Sequence, residues 1–358
     1  MDRKQEIFEH MPIPKAVATL AIPTVIGLMI STIYNLADTF FVGQTNNPAA
    51  VAAVTLSYPA FVAIAAVSNL FGIGGASMIA RSLGKQRPDL ARRTAAFCFY
   101  TAIAVTALYS LLTLIFRESF ASILGADSET YAYTYDYLKW VLIVGGIPTM
   151  LNLLLAHLVR SEAGAKQASI GISLGGLLNI GLDPLFMFVL LPPGKEVAGA
   201  AIATMLSNVI ASLYFLVYLY KNRRTSVISL HIHNYKFDRE IIRNVTMVGL
   251  PAALQTALVV VSNTVLNQLT KVSAQAINEA TSAAAIAAVG IAKKIDMIPM
   301  NVTMGIAQGV LPLLGYNYAA GNHERMHGVE RFAIITAVLF SFACVALFEP
   351  LAVQIVGL

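Results

Sequence analysis

Residues 28–43 read LMISTIYNLADTFFVG and residues 175–191 read GGLLNIGLDPLFMFVLL. Each stretch sets one aspartate, Asp38 or Asp183, inside a hydrophobic run long enough to cross a bilayer. A carboxylate at the bilayer centre costs about 2.5–3.5 kcal/mol even on the lenient insertion scale, so such residues mark substrate or ion pathways. Two of them suggest that the cargo or the driving ion is a cation.

The surrounding composition fits that reading. The chain has 358 residues, 57% hydrophobic and only 12% charged, with a mean hydropathy of +0.70. Its net charge of +5 calls for no nucleic-acid partner, because the Lys and Arg residues cluster in the connections between apolar runs. Cys98 and Cys344 both fall inside such runs and read as small buried hydrophobes. The polar start, MDRKQEIFEHMPIPK, lacks the cleavage pattern of a signal peptide and reads as a retained cytosolic arm.

Working outward, apolar stretches predict about nine spans, near 16–42, 51–80, 94–116, 137–159, 167–191, 197–220, 245–270, 283–314 and 330–349. Arg3, Lys4 and Lys15 precede the first span, and Arg81, Lys85, Arg87, Arg92 and Arg93 crowd the second connection. Arg160 and Lys166 flank the fourth, Lys221 to Arg243 fill the sixth, and Arg325 and Arg331 mark the eighth. Intervening connections carry few cations, so the rule that cytoplasmic loops are positive predicts a cytoplasmic N-terminus and a multi-pass protein of the cell membrane. Tyr131, Tyr133, Tyr135, Tyr137 and Trp140 read as an interfacial belt on the opposite side.

The chain also repeats itself. AIPTVIGLMISTIYN carries Pro23 and Asn35 at the same spacing as Pro251 and Asn263 in GLPAALQTALVVVSN, and AAVTLSYPAF from Ala52 aligns with AAVGIAKKID from Ala287, bringing Gly74 opposite Gly309. Copies separated by an even number of spans share one orientation, related by an axis along the membrane normal. The expected architecture is all-α and polytopic, with two pseudo-symmetric six-helix lobes. Residues 1–220 form the first, 221–243 a cytoplasmic linker, and 244–358 an incomplete second lobe of about three helices.

Several polar side chains recur at helical spacing inside the spans. Asn179 and Asp183 share a face with Gly171 and Gly175, where small residues admit a neighbouring helix. Pro184 removes the donor for the Ile180 carbonyl and leaves another oxygen at that depth. Asn35 and Asp38, with Tyr34 beside them, make a comparable face on the first span, and Thr204 and Asn208 make another on the sixth. Converging, these groups offer two carboxylates and several neutral oxygens, suited to a hard monovalent cation or a shared proton, with packing between helices as the bland alternative for Asn179 and Thr204. Lys293, Lys294 and Asp296 on the eighth span either contribute a second-lobe cavity wall or sit near water, and Asn263 is a further cavity candidate. Pro23, Pro59, Pro148, Pro184, Pro251, Pro299 and Pro312 are expected to interrupt their spans, with Pro23 and Pro184 the candidate hinges.

Taken together, LAIPTVIGLMISTIYNLADTFFVG (20–43), NIGLDPLFMF (179–188) and VLPLLGYNYAAGN (310–322) make the chain resemble the multidrug and toxic compound extrusion (MATE) transporters. The resemblance implies twelve spans in two lobes around a central cavity, and this chain ends about three spans short of that pattern. It also implies exchange of protons or sodium ions for organic cations by a monomer in the lipid bilayer, with no bound cofactor. The implied coupling set is Asp38, Asn179, Asp183 and Thr204, the last in GAAIATMLSN.

Two competing functions leave sequence traces. A lipid or polysaccharide flippase of related architecture would line its cavity with arginine, and no arginine falls deep in an apolar run, although Lys293 and Lys294 keep that alternative open. His323-Glu324-Arg325-Met326-His327 is a literal H-E-x-x-H. A zinc hydrolase needs a third ligand and an ordered helix face, whereas this string reads as part of a solvated basic connection after Gly321-Asn322. The expectation is a transporter and not an enzyme.

Overall fold

The computed structural model describes residues 3–45, 47–275 and 279–356. Helices account for nearly all of them, and no strand occurs among the described residues. After a helical arm (Arg3–Gln5 and Glu6–His10) come α1 (Ile13–Gly43), α2 (Pro48–Gly84) and α3 (Pro88–Ile115), then the short α4 (Arg117–Ile123). Pro48 and Pro88 open α2 and α3 where a missing N–H costs nothing. Asn47 caps α2 by accepting from the backbone of Ala49 at 3.1 Å and Ala50 at 3.3 Å.

Next, α5 (Tyr131–Leu138) runs through a π-helical turn, Lys139–Val144, into α6 (Gly146–Ser161) with a bend of 52°. Pro148 explains the break: it cannot donate to the Val144 carbonyl and its ring crowds that oxygen. The chain continues as α7 (Ala165–Pro184), a π-helical turn Leu185–Leu190, α8 (Glu196–Lys221), α9 (Arg239–Gln275), α10 (Glu279–Ala319) and α11 (His323–Val356). Eight of these are long and apolar enough to cross a membrane among the described residues, and the bent α5–α6 pair supplies a ninth. All nine predicted centres fall within them.

Only Pro148 and Pro184 sit where helical geometry changes. Pro23, Pro59, Pro251, Pro299 and Pro312 lie inside uninterrupted helices, contrary to the expectation that each breaks its span. The Ser169 hydroxyl of α7 donates to the Pro23 carbonyl and ties α7 to α1 at that level.

Two apolar cores hold the bundle. One joins α2, α3, α6 and α8 through Ile79, Leu154, Leu158 and Phe215. The other joins the arm, α1, α10 and α11 through Phe8, Leu20, Leu313 and Val329. Cys98 and Cys344 are free and buried, as expected of small hydrophobes. Outward-facing side chains such as Leu254, Leu258, Val261 and Leu347 are exposed and apolar, which suits a hydrocarbon surround.

The helices after residue 239 dock on the earlier ones reciprocally, α9 along α2 and α10 along α1. Backbones nearly touch at Gly249 against Leu70 and at Gly309 against Leu20 and Ala21, where any side chain on the glycine would collide. These crossings lie toward the end where the basic connections gather. Arg81 reaches Asn244 at 3.3 Å and Arg87 reaches Glu240 at 3.5 Å there. Toward the other end, every residue of α9 from 257 to 266 except Val260 is exposed, so no face of that segment is covered by the described residues.

The arm and the connection 222–238 are both ordered. Arg325 donates to the carbonyls of Phe8 (2.8 Å), Ile7 (3.1 Å) and Met11 (2.6 Å), and Lys4 pairs with Glu162 at 2.8 Å. Glu162 also accepts from Ser226 (2.7 Å) and the Val227 backbone (3.0 Å), so one buried carboxylate ties the arm to the connection. The expected linker, 221–243, is shorter than that range, because its last residues already belong to α9.

Candidate ion and substrate site

Asn179 and Asp183 sit one turn apart on α7 and are both buried. Gly175, one turn earlier, gives α8 room to approach: a Cβ there would lie 3.2 Å from that of Ala211. The Asn179 amide donates to Asp183 Oδ1 at 2.9 Å and to Thr204 Oγ1 at 3.3 Å, stitching α7 to α8. Asn152 of α6 donates to Asn208 Oδ1 at 2.9 Å, and Asn208 donates onward to the Thr204 carbonyl at 2.9 Å.

What remains is a set of acceptors. Among the described residues, Asp183 Oδ2, Asn179 Oδ1, Asn152 Oδ1 and Oδ1 of half-buried Asp38 are buried without a partner. Leaving such atoms unpaired costs about 1–3 kcal/mol each, more where charged, and a cation or proton relieves that cost. Ser31, Tyr34, Thr149, Asn152, Asn179 and Thr204 face a cavity of about 40 Å³. That volume holds a water molecule or a bare ion and is far below the roughly 300–1,000 Å³ of a drug pocket. No Lys or Arg lines it among the described residues. Asp38 and Asp183 act on each other through space, and both act on the hydroxyls of Tyr34 and Tyr137.

The predicted residues therefore divide. Asp38, Asn179, Asp183, Thr204, Tyr34 and Asn208 converge. Asn35 does not: it is exposed and donates to the Ser31 carbonyl of its own helix at 2.8 Å. Asn263 lies in the uncovered part of α9. Lys293 is half-buried and Asp296 exposed. The antiparallel register of α10 on α1, fixed where Asn301 donates to Thr32 at 3.0 Å, sets Asp296 near the level of Asp38. The Lys294 side chain lies outside the described residues. Pro184 follows Asp183 directly at the end of α7, whereas Pro23 lies about four turns from Asp38 toward the start of α1.

Three groups escaped the sequence reading. Asn152, a lone carboxamide within NLLLAHLVR, faces the cavity, and its isolation in an apolar run was the available signal. Tyr137 lies within electrostatic reach of the two acids and is not only part of an interfacial belt. Arg160, taken as flanking a span, is 3% exposed and sits inside the helical packing near the basic end. It contacts His157 at 3.1 Å and donates to Gln308 of α10 at 3.2 Å. The H-E-x-x-H string is another correction, since it forms the first turns of α11 and no solvated loop. His327 pairs with Glu330 at 3.3 Å, and no cluster of three metal-ligating side chains occurs among the described residues.

A bundle of membrane-crossing helices with two acids set among polar side chains inside it is the architecture of a transporter and not of an enzyme. The MatE family model matches residues 23–185 and 251–358, and the chain belongs to that family. It is 31% identical over 357 residues to the multidrug export protein MepA of Staphylococcus aureus (strain NCTC 8325 / PS 47), covering 100% of this chain and 76% of that one. The MepA of Staphylococcus haemolyticus (strain JCSC1435) is 30% identical over 341 residues, covering 95% and 72%. Among solved structures, an outward-facing multidrug resistance MATE transporter of the MOP superfamily superposes with a TM-score of 0.90 at 28% identity, covering 99% of this chain and 75% of that one.

Proposed function

We propose that this protein is a secondary active antiporter that exports organic cations and other drugs in exchange for H⁺ or Na⁺ by alternating access. The observation that carries the reading is Asp183: a wholly buried carboxylate with one oxygen held by Asn179 and the other unpartnered, within electrostatic reach of Asp38. A coupling ion satisfies those oxygens. A cationic drug drawn to the same charge competes with it, and mutual exclusion of the two is exchange. The 40 Å³ cavity beside Asn179 and Thr204 suits the ion, and in this reading a cleft between α1, α2, α9 and α10, at the uncovered part of α9, takes the bulky substrate. In this reading the basic end is cytoplasmic, the cleft faces outward, and two pseudo-symmetric lobes rock about crossings such as Gly249 on Leu70.

The test is fluorescent-cation transport in proteoliposomes under a pH gradient or a sodium gradient imposed separately. Wild type should respond to one of them, and Asp38→Asn and Asp183→Asn should abolish the gradient dependence. Pumping at the wild-type rate by both variants overturns the proposal.

A further inference from the structure

At the basic end, between the last turns of α8, the connection 222–238 and the start of α3, lies a crevice of about 590 Å³. Its size falls within the range of small-molecule sites. Arg92, Arg223, Arg224 and His231 stand around it, and no Asp or Glu lines it among the described residues. The nearest acid on those elements is Asp89, which pairs with Arg92 at 3.6 Å from one turn back on the same helix. Arg223 lies over the Tyr220 ring at 4.6 Å, a cation–π contact that holds its charge beside the crevice. Arg224 makes no hydrogen bond or ion pair among the described residues. Three guanidinium groups thus share one concavity whose described lining holds no carboxylate, with Asp89 partnering Arg92 from outside it.

The opposite wall is apolar. Leu216, Leu219 and Leu230 line the crevice, and on α8 it continues outward as a stripe. Ile210, Leu213, Val217 and Tyr220 recur at three- to four-residue spacing and are 39%, 51%, 51% and 68% exposed. A stripe of that kind on a spanning helix lies against acyl chains, so the crevice begins where the chains end and the headgroups start. The connection holding its far side is pinned: Tyr100 donates to the Leu230 carbonyl at 2.7 Å, Tyr235 stacks on Phe97, and Ile228 is buried. A prebuilt cationic pocket at headgroup depth, opening onto an apolar track, matches an anionic amphiphile and no soluble ligand so well. We propose that this crevice binds the phosphate headgroup of an anionic lipid, with the acyl chains laid along the α8 stripe and the phosphate oxygens taken by Arg92, Arg223 and Arg224.

Native mass spectrometry of the purified protein, titrated with phosphatidylglycerol or phosphatidylcholine, tests this directly. Wild type should retain phosphatidylglycerol preferentially, and Arg92→Gln/Arg223→Gln/Arg224→Gln should bind it roughly a hundredfold more weakly, at about fivefold per lost cation. If the triple variant does not fold, Arg224→Gln alone should still weaken binding by about fivefold, since Arg224 holds nothing in the fold. Arg239→Gln/Arg243→Gln, which removes two cations elsewhere at the same end, should leave binding unchanged. An equal loss in that control, or none in the triple variant, overturns the proposal in favour of diffuse surface attraction. Millimolar glycerol 1-phosphate should not displace the lipid, and full displacement would reassign the crevice to a soluble phosphate.

Discussion

Asn179 donates to Asp183 Oδ1 and, through the same nitrogen, to Thr204 across the α7–α8 contact. One carboxamide therefore ties one oxygen of the acid and leaves the other without a partner among the described residues. Removing a hydrogen bond to a charged group costs about 1.5–3 kcal/mol, or roughly ten- to a hundredfold in an equilibrium. We expect Asn179→Ala to weaken the apparent affinity for the driving ion by that factor while the maximal efflux rate at saturating ion is largely kept. Asp183→Asn should remove ion dependence altogether, and the double variant should do no worse than Asp183→Asn alone. Efflux measured against ion concentration separates these outcomes, and additive losses would show that Asn179 acts elsewhere.

The glycine crossing between α2 and α9 makes a second expectation. A Cβ on Gly249 would drive into the Leu70 carbonyl, a backbone group that cannot rotate away. Overpacking of this kind costs about 1–3 kcal/mol. Gly249→Ala should disfavour the state closed at the basic end, seen as lower thermal stability and as increased labelling of a cysteine placed at position 69. Gly290→Ala serves as the control, because nothing among the described residues lies within 4 Å of its Cβ position. Equal behaviour of the two variants would mean that the crossing does not hold the closed state.

Arg325 gathers three carbonyl oxygens of the N-terminal arm with one guanidinium. A lysine keeps the charge but cannot present the planar fork. Arg325→Lys should free the arm, so that protease cuts near Met11 appear at low enzyme concentration and amide exchange at Ile7 and Phe8 accelerates by about ten- to a hundredfold. Unchanged protection would assign the anchoring to the Phe8–Tyr316 stack and to the Asn317 contact instead.

Much of this arrangement was legible in the chain because a bilayer leaves few options. Apolar run length predicted every span, and a turn of spacing predicted that Asn179 and Asp183 share a face. The same physics explains what was missed. Arg160 flanks an apolar run, and charge counting cannot tell a residue facing water from one turned inward onto His157 and Gln308. Tyr137 was legible as an interfacial aromatic but not as a group within electrostatic reach of Asp38, since spacing along one helix does not tell which other helix it meets. Asn35 misled for the opposite reason: its spacing to Asp38 is helical, yet its amide folds back onto Ser31. Periodicity gives the face of a helix, and only packing tells which part of that face is covered.

Asp127, in the connection before α5, gives an expectation outside the spans. Its carboxylate accepts from the Thr130 backbone at 2.9 Å, the Thr130 hydroxyl at 2.8 Å and the Glu129 backbone at 3.1 Å. The Thr130 N–H and O–H bonds, which favour the charged form, hold its pKa below the ordinary carboxylate value. A depressed folded-state value means that the ordering of this turn is fully present above the usual carboxylate range and is lost as pH falls through the depressed value. Amide exchange at Glu129 and Thr130, corrected for intrinsic rates, should therefore be protected at pH 6 and released only in strong acid. Asp127→Asn retains an acceptor oxygen and should keep part of the protection with no pH step, whereas Asp127→Ala should lose it at every pH. A pH step that survives in Asp127→Asn would assign the titration to another acid, with Glu129 the nearest candidate.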